Sequence, residues 1–85
     1  MRKRADWWVL ADDMILEYIS DEGTGTPKVI SREIDKSQGY VNQRCSLLES
    51  YGLLTKVARG VYTLSEAGEQ YLSEKLDAST LEKSG

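Results

Sequence analysis

Between residues 9 and 21 the apolar residues Ala11, Met14, Ile15, Tyr18 and Ile19 recur at spacings of three and four, with Asp12, Asp13 and Glu17 among them. This period predicts an amphipathic helix carrying the three acids on its water side, with acids in the first turn, where the helix dipole favours negative charge. Gly23-Thr24-Gly25 stops it. Thr26-Pro27 then reads as an N-cap followed by proline at the first helical position, where the missing N–H costs no hydrogen bond. The second helix is short, with Ile30 and Ile34 as its buried stripe and the polar pair Asp35-Lys36 as the turn that follows. Ser37 caps a third helix reaching residue 51 or so, in which Val41, Cys45 and Leu48 face inward at i, i+4 and i+7. Gly52 ends it by supplying a left-handed residue.

Beyond Gly52 the period shortens. Residues 53–57 and 61–64 are strand candidates joined by Ala58-Arg59-Gly60, and Tyr62 and Leu64 share one face. Ser65 caps a last helix whose apolar side is Ala67, Tyr71, Leu72 and Leu76. The predicted fold class is mainly α with a small β-hairpin. A short helix, tight turn, longer polar-faced helix and glycine-tipped hairpin in that order specify a winged helix-turn-helix over residues 7–77. A basic arm, residues 1–6, precedes it, and residues 78–85 are expected to be a flexible tail.

Composition narrows the function. Eighty-five residues make one small domain with one core. No apolar run reaches the roughly 18 residues of a membrane span, and no signal-peptide pattern follows the basic start, so a cytoplasmic protein is expected. The single cysteine, Cys45, cannot form an internal disulfide, and the absence of histidine removes the usual zinc ligand sets. No metal, cofactor or small-molecule substrate is expected. Enzyme chemistry is disfavoured: there is no histidine, no phosphate-binding glycine loop and no carboxylate pair placed for a cleft. The net charge of −3 runs against a nucleic-acid binder, whose affinity comes largely from neutralising phosphates. Its distribution reverses that reading, because residues 24–62 carry six bases against three acids whereas residues 5–23 carry six acids and no base.

With Val41, Cys45 and Leu48 inward, a rotation of about 100° per residue puts Gly39, Gln43 and Ser46 on the outer face of the third helix, flanked by Tyr40 and Asn42. Gln38, Gly39, Asn42, Gln43 and Ser46 are therefore the candidate base contacts. Gln and Asn pair bidentately with adenine edges in the major groove, and glycine lets a helix approach closely. An ordinary solvated face favours the same residue types. Lys28, Arg32, Lys36, Ser37, Tyr40, Arg44, Lys56 and Arg59 are candidate backbone or wing contacts. Arg44 lies near the core edge, where pairing with a carboxylate is its other use, and Tyr40 is equally suited to packing. Trp7, Trp8, Tyr71, Leu72 and Leu76 lie at the two ends of the domain. They either pack on each other within the chain, the default, or form the interface of an expected homodimer.

Ala11-Asp12-Asp13 with Ile15-Leu16-Glu17, Thr26-Pro27, Tyr40-Val41, Gly52-Leu53, and Arg59-Gly60 with Tyr62, Leu64 and Gly68 resemble the small winged helix-turn-helix transcription regulators of halophilic archaea and their phages, of the phi-H repressor type. The resemblance covers nearly all of residues 7–77. It implies a cofactor-free regulator of double-stranded DNA, expected to be a repressor, from a cytosol where acidic surfaces stay hydrated at high salt. Asp35 and Lys36 depart from the glycine and apolar residue usual in that family's interhelical turn, and Leu47 stands where a polar residue is usual. The alternative function is a winged-helix protein-docking module without DNA binding, since fold alone does not settle function. A positive strip along the third helix and hairpin favours DNA; an apolar strip around Leu47 favours protein.

Overall fold

The computed structural model describes residues 1–83; the last two residues of the expected tail lie outside the described residues. The elements run α1 (Leu10–Glu22), α2 (Pro27–Glu33), α3 (Gln38–Ser50), β1 (Leu54–Ala58), β2 (Val61–Leu64) and α4 (Glu66–Leu72), closed by a single 3-10 turn at Ala78–Thr80. The order is the one the periodicity predicts. Thr26, Ser37 and Ser65 cap α2, α3 and α4 by accepting the backbone N–H groups of Val29, Tyr40 and Gly68.

The helix ends show why the chain turns where it does. At the end of α3, Gly52 has φ +80°, its N–H reaches the Glu49 carbonyl at 3.0 Å, and the Leu53 N–H reaches the Leu48 carbonyl at 2.9 Å. These are the paired bonds of a Schellman cap, and the buried Leu48 and Leu53 give it its apolar contact. The same pairing closes α4 around Glu74, with Glu74 N–H to Tyr71 O at 3.0 Å and Lys75 N–H to Gln70 O at 2.7 Å. Glu74 therefore stands left-handed at φ +67° and α4 stops at Leu72. The apolar side expected to run on through Leu76 breaks there, and Leu76 packs on the core from outside the helix.

β1 and β2 pair antiparallel from Leu54 opposite Leu64 to Ala58 opposite Val61, with an irregularity between Lys56 and Ala58 that leaves Val57 as the extra, bulged residue. Arg59 and Gly60 form the tip. Gly25 exchanges two 2.9 Å backbone bonds with Tyr62, so the α1–α2 connection adds a short rung to the hairpin and fixes the wing against the helices.

Ile15, Leu16, Ile19, Ile30, Val41, Cys45, Leu48, Leu53 and Tyr71 are fully buried and form the centre of the core. Two expectations require correction. Asp12 and Asp13, placed on the water side of α1 by its period, are 0% and 3% exposed. α1 is central, with α3 on one side and β2 and α4 on the other, so its buried arc is wider than one stripe. Trp8 and Tyr71, candidates for an interface between copies, are interior instead, their rings 4.4 Å apart. Burial against each other leaves neither side chain available to a second subunit. Trp7, Leu72 and Leu76 are half-buried against the same core. The chain after residue 77 begins with structure: Ala78 is buried and its N–H bonds the Lys3 carbonyl at 2.8 Å, joining the two ends of the chain.

Candidate nucleic-acid interface

α3 presents Gln38, Gly39, Asn42, Gln43 and Ser46 to solvent, opposite the buried Val41, Cys45 and Leu48. No acidic residue occurs between Ser37 and Leu48. Ser37, exposed beside this face, is committed to capping, its Oγ accepting the Tyr40 N–H at 3.1 Å. Tyr40 is half-buried against the core, the packing use of an aromatic here. Leu47 is half-buried too, a single apolar residue bordered by Asn42, Gln43, Ser46 and Ser50.

Lys28, Arg32, Lys36, Lys56 and Arg59 are exposed, and among the described residues none of the five side chains has an ion-pair partner. Unpaired cations on α2, the interhelical turn and the wing are free to meet an external anion. Gly60 (φ +71°) makes the tight turn that projects Arg59, and Val57, 55% exposed at the bulge, stands beside it.

Arg44 does not belong with these. Its Nε and Nη2 donate to the two Asp12 carboxylate oxygens at 2.9 and 2.6 Å, and Nη2 also donates to the Trp7 carbonyl at 3.1 Å. The guanidinium carbon lies 5.9 Å from the centre of the Trp7 ring, which itself stacks on Tyr51 at 4.4 Å. The Arg44 pKa is raised, chiefly by the Asp12 hydrogen bond, which outweighs burial. Of the two uses the sequence offered Arg44, the Nε and Nη2 bonds show the pairing with a carboxylate.

A second network lies at the other end of α1. Tyr71 donates its hydroxyl to Asp13 Oδ1 at 2.7 Å, and Arg4 Nη2 is 2.5 Å from Asp13 Oδ2. Burial, then Asp13, push the Tyr71 pKa up. Arg2 bonds Glu17 at 2.6 Å and the Leu72 carbonyl at 3.2 Å. The arginines of the basic arm thus neutralise acids of α1, unlike the exposed cations of α2, the interhelical turn and the wing.

Sequence reasoning missed Lys83. It borders the shallow groove along α3 lined by Asn42, Gln43, Ser46, Leu47 and Ser50, and no periodic signal marked the chain end as lying beside this face. Among the described residues no cluster of histidine, cysteine and carboxylates is arranged for a metal, and no helix is long and apolar enough to cross a membrane.

The family model for the winged helix-turn-helix phage repressor matches residues 1–84. The chain is similar to the PhiH1 repressor-like protein from Haloarcula marismortui, whose crystal structure superposes with a TM-score of 0.91 at 39% identity, covering 98% of this chain and 97% of that one. No curated protein matches. Four helices, a two-stranded wing, a polar outward face on α3 and a full-length family match agree, and the family is one of DNA-binding regulators rather than enzymes. The chain belongs to the winged helix-turn-helix phage repressor family.

Proposed function

We propose that the chain is a sequence-specific regulator of double-stranded DNA, a repressor that lays α3 in the major groove and sets the wing on the minor groove or the backbone. The observation that carries this reading is the acid-free outer face of α3, with Asn42, Gln43 and Ser46 exposed, together with the exposed cations Lys28, Arg32, Lys36, Lys56 and Arg59 of α2, the interhelical turn and the wing, which have no ion-pair partner among the described residues. Amide and hydroxyl side chains supply base-edge hydrogen bonds, and the surrounding cations supply the salt-dependent attraction that a chain of net charge −3 lacks elsewhere. Leu47 stands among the polar Asn42, Gln43, Ser46 and Ser50 as a single half-buried apolar residue, which supports this reading over an apolar docking strip. A homodimer reading two half-sites in a cytosol of high salt completes the proposal. Its interface lies away from the interior Trp8 and Tyr71.

The test is titration of two variants against preferred and scrambled duplexes at several salt concentrations, the preferred site being selected from a random pool. Arg59→Ala weakens binding to all sequences alike and reduces the salt slope by about one, because a backbone or minor-groove contact carries little base information. Gln43→Ala costs about 1–3 kcal/mol on the preferred site and much less on scrambled DNA. Wild-type-like binding by both variants would remove α3 and the wing from the interface. The stoichiometry of the saturated complex reads the dimer.

A further inference from the structure

We infer that Asp12 and Arg44 are the positioning residues of the recognition helix: the pair fixes the rotation of α3 about its own axis and thereby the aim of Gln43 and Ser46. The inference rests on the reading of α3 as the element that meets base edges. Asp12 is fully buried and receives three hydrogen bonds, from the Val9 N–H at 3.0 Å and from Arg44 at 2.9 and 2.6 Å. The first of these ties it to the N-terminal end of α1, so the carboxylate is held by backbone before Arg44 reaches it. Arg44 is 16% exposed and stands between the buried Cys45 and the exposed Gln43, on the flank of the helix rather than on either face. A side chain in that place resists rolling of the helix, as one on the buried stripe does not. The planar guanidinium bonds both carboxylate oxygens, which sets direction as well as distance.

A second contact acts at the far end of the helix. The Trp7 carbonyl accepts from Arg44 while the Trp7 ring stacks on Tyr51, the residue that caps α3 at its C-terminus. The segment before α1 therefore holds α3 both at mid-length and at its end. Apolar packing of Val41, Cys45 and Leu48 alone is non-directional and leaves the rotation loosely set. Base recognition needs groups held within about half an ångström of the productive geometry by such supporting contacts.

The inference separates from a phosphate-contact role and from a purely stabilising role. Arg44→Lys keeps the charge but loses the two-pronged bond; Asp12→Asn breaks the same pair from the opposite side, in a residue with no access to DNA. Each variant is checked for folding by circular dichroism and titrated, well below its melting temperature, against preferred and scrambled duplexes across a salt series. The expected result is a loss of about tenfold in the ratio of preferred to scrambled affinity, comparable to one mismatched base pair, with the salt slope unchanged. The double variant loses no more than the worse single one. Because the two substitutions break one pair from its two ends, either folded variant alone decides. Wild-type discrimination in a folded variant overturns the inference and leaves only a stabilising pair. Wild-type behaviour of Arg44→Lys together with a salt slope lowered by about one in Arg44→Gln makes Arg44 a phosphate contact instead. If the unaltered chain prefers no duplex, the DNA reading itself fails and this inference falls with it.

Discussion

A carboxylate withdrawn from water needs partners, and the consecutive acids Asp12 and Asp13 find theirs on different elements. Asp12 turns to Arg44, 32 residues later, and Asp13 turns to Tyr71, 58 residues later, and to Arg4. The sequence offered Arg44 a carboxylate partner without saying which, and the Tyr71 partnership was not legible, because the helical period of α1 describes a single stripe and the partners come from different elements. The left-handed Asp35 is a different case. The 2.9 Å bond from the Lys36 N–H to the Ser31 carbonyl closes α2 as a Schellman cap, with Asp35 in the position glycine ordinarily takes, at φ +57°. Aspartate tolerates that region with some strain and a β-branched residue does not. Asp35→Gly is therefore expected to stabilise the chain by about 0.5 kcal/mol, and Asp35→Val to destabilise it by about 1–2 kcal/mol, both measured as shifts of the urea midpoint. A stabilised Asp35→Gly variant that still selects the same duplex would show that the turn serves the fold alone.

At the scale of elements, the legible parts are those with a period and a cap. α1, α2, α3 and the hairpin follow from stripes at three and four residues, from the Thr26-Pro27 and Ser37 starts, and from Gly52. α4 misled because the apolar period continues to Leu76 although the chain has already turned at Glu74, a residue that carries no conventional stop signal. The rung between Gly25 and Tyr62 had no pattern to announce it, since a single bridged residue has no alternation. Packing of α4 on the wing depends on Gly68. A Cβ there would lie 2.3 Å from the Leu53 carbonyl oxygen and 2.6 Å from Leu64 Cδ1, and a backbone carbonyl cannot swing aside. Gly68→Ala is expected to destabilise by about 1–3 kcal/mol, although alanine by itself favours a helix by about 1 kcal/mol. Gly39→Ala provides the contrast, because nothing lies within 4 Å of the Cβ it would add. There the helix preference acts unopposed, and thermal unfolding should show a gain of about 1 kcal/mol.

Over the whole molecule, charge is sorted by partner: the arginines of the N-terminal arm face α1, Arg44 faces Asp12, and the remaining cations of α2, the turn and the wing face outward. The charged surface thus follows from which cations the core has already engaged, and the basic run of residues 24–62 anticipated it except at Arg44. The core itself adds a dependence on alkaline pH. Burial pushes the Cys45 thiol from 9.0 up to about 12, and burial with Asp13 pushes Tyr71 upward from 10.0. Both groups keep their protons when folded and release them more readily when unfolded. Above the ordinary thiol value the unfolded chain gains an ionisation that the folded chain resists, so the stability these groups contribute is complete below about pH 9 and is lost as pH rises toward the folded values. A shift of this size on a fully buried thiol corresponds to about 2 kcal/mol lost midway through the window and about 4 kcal/mol at its end. Urea unfolding at intervals from neutral pH to the alkaline end should show a falling midpoint in the wild type. In Cys45→Ala the starting stability is lower because a cavity is left, but the fall beyond pH 9 is shallower because the buried thiol no longer contributes to it. Alkylation gives an independent reading of the same burial: at pH 8 Cys45 should react at the rate of chain opening rather than at the rate of a free thiol. Equal alkaline slopes in the two chains, together with rapid labelling of the folded wild type, would place the thiol in contact with water and overturn the assignment of Cys45 to the inward stripe of α3.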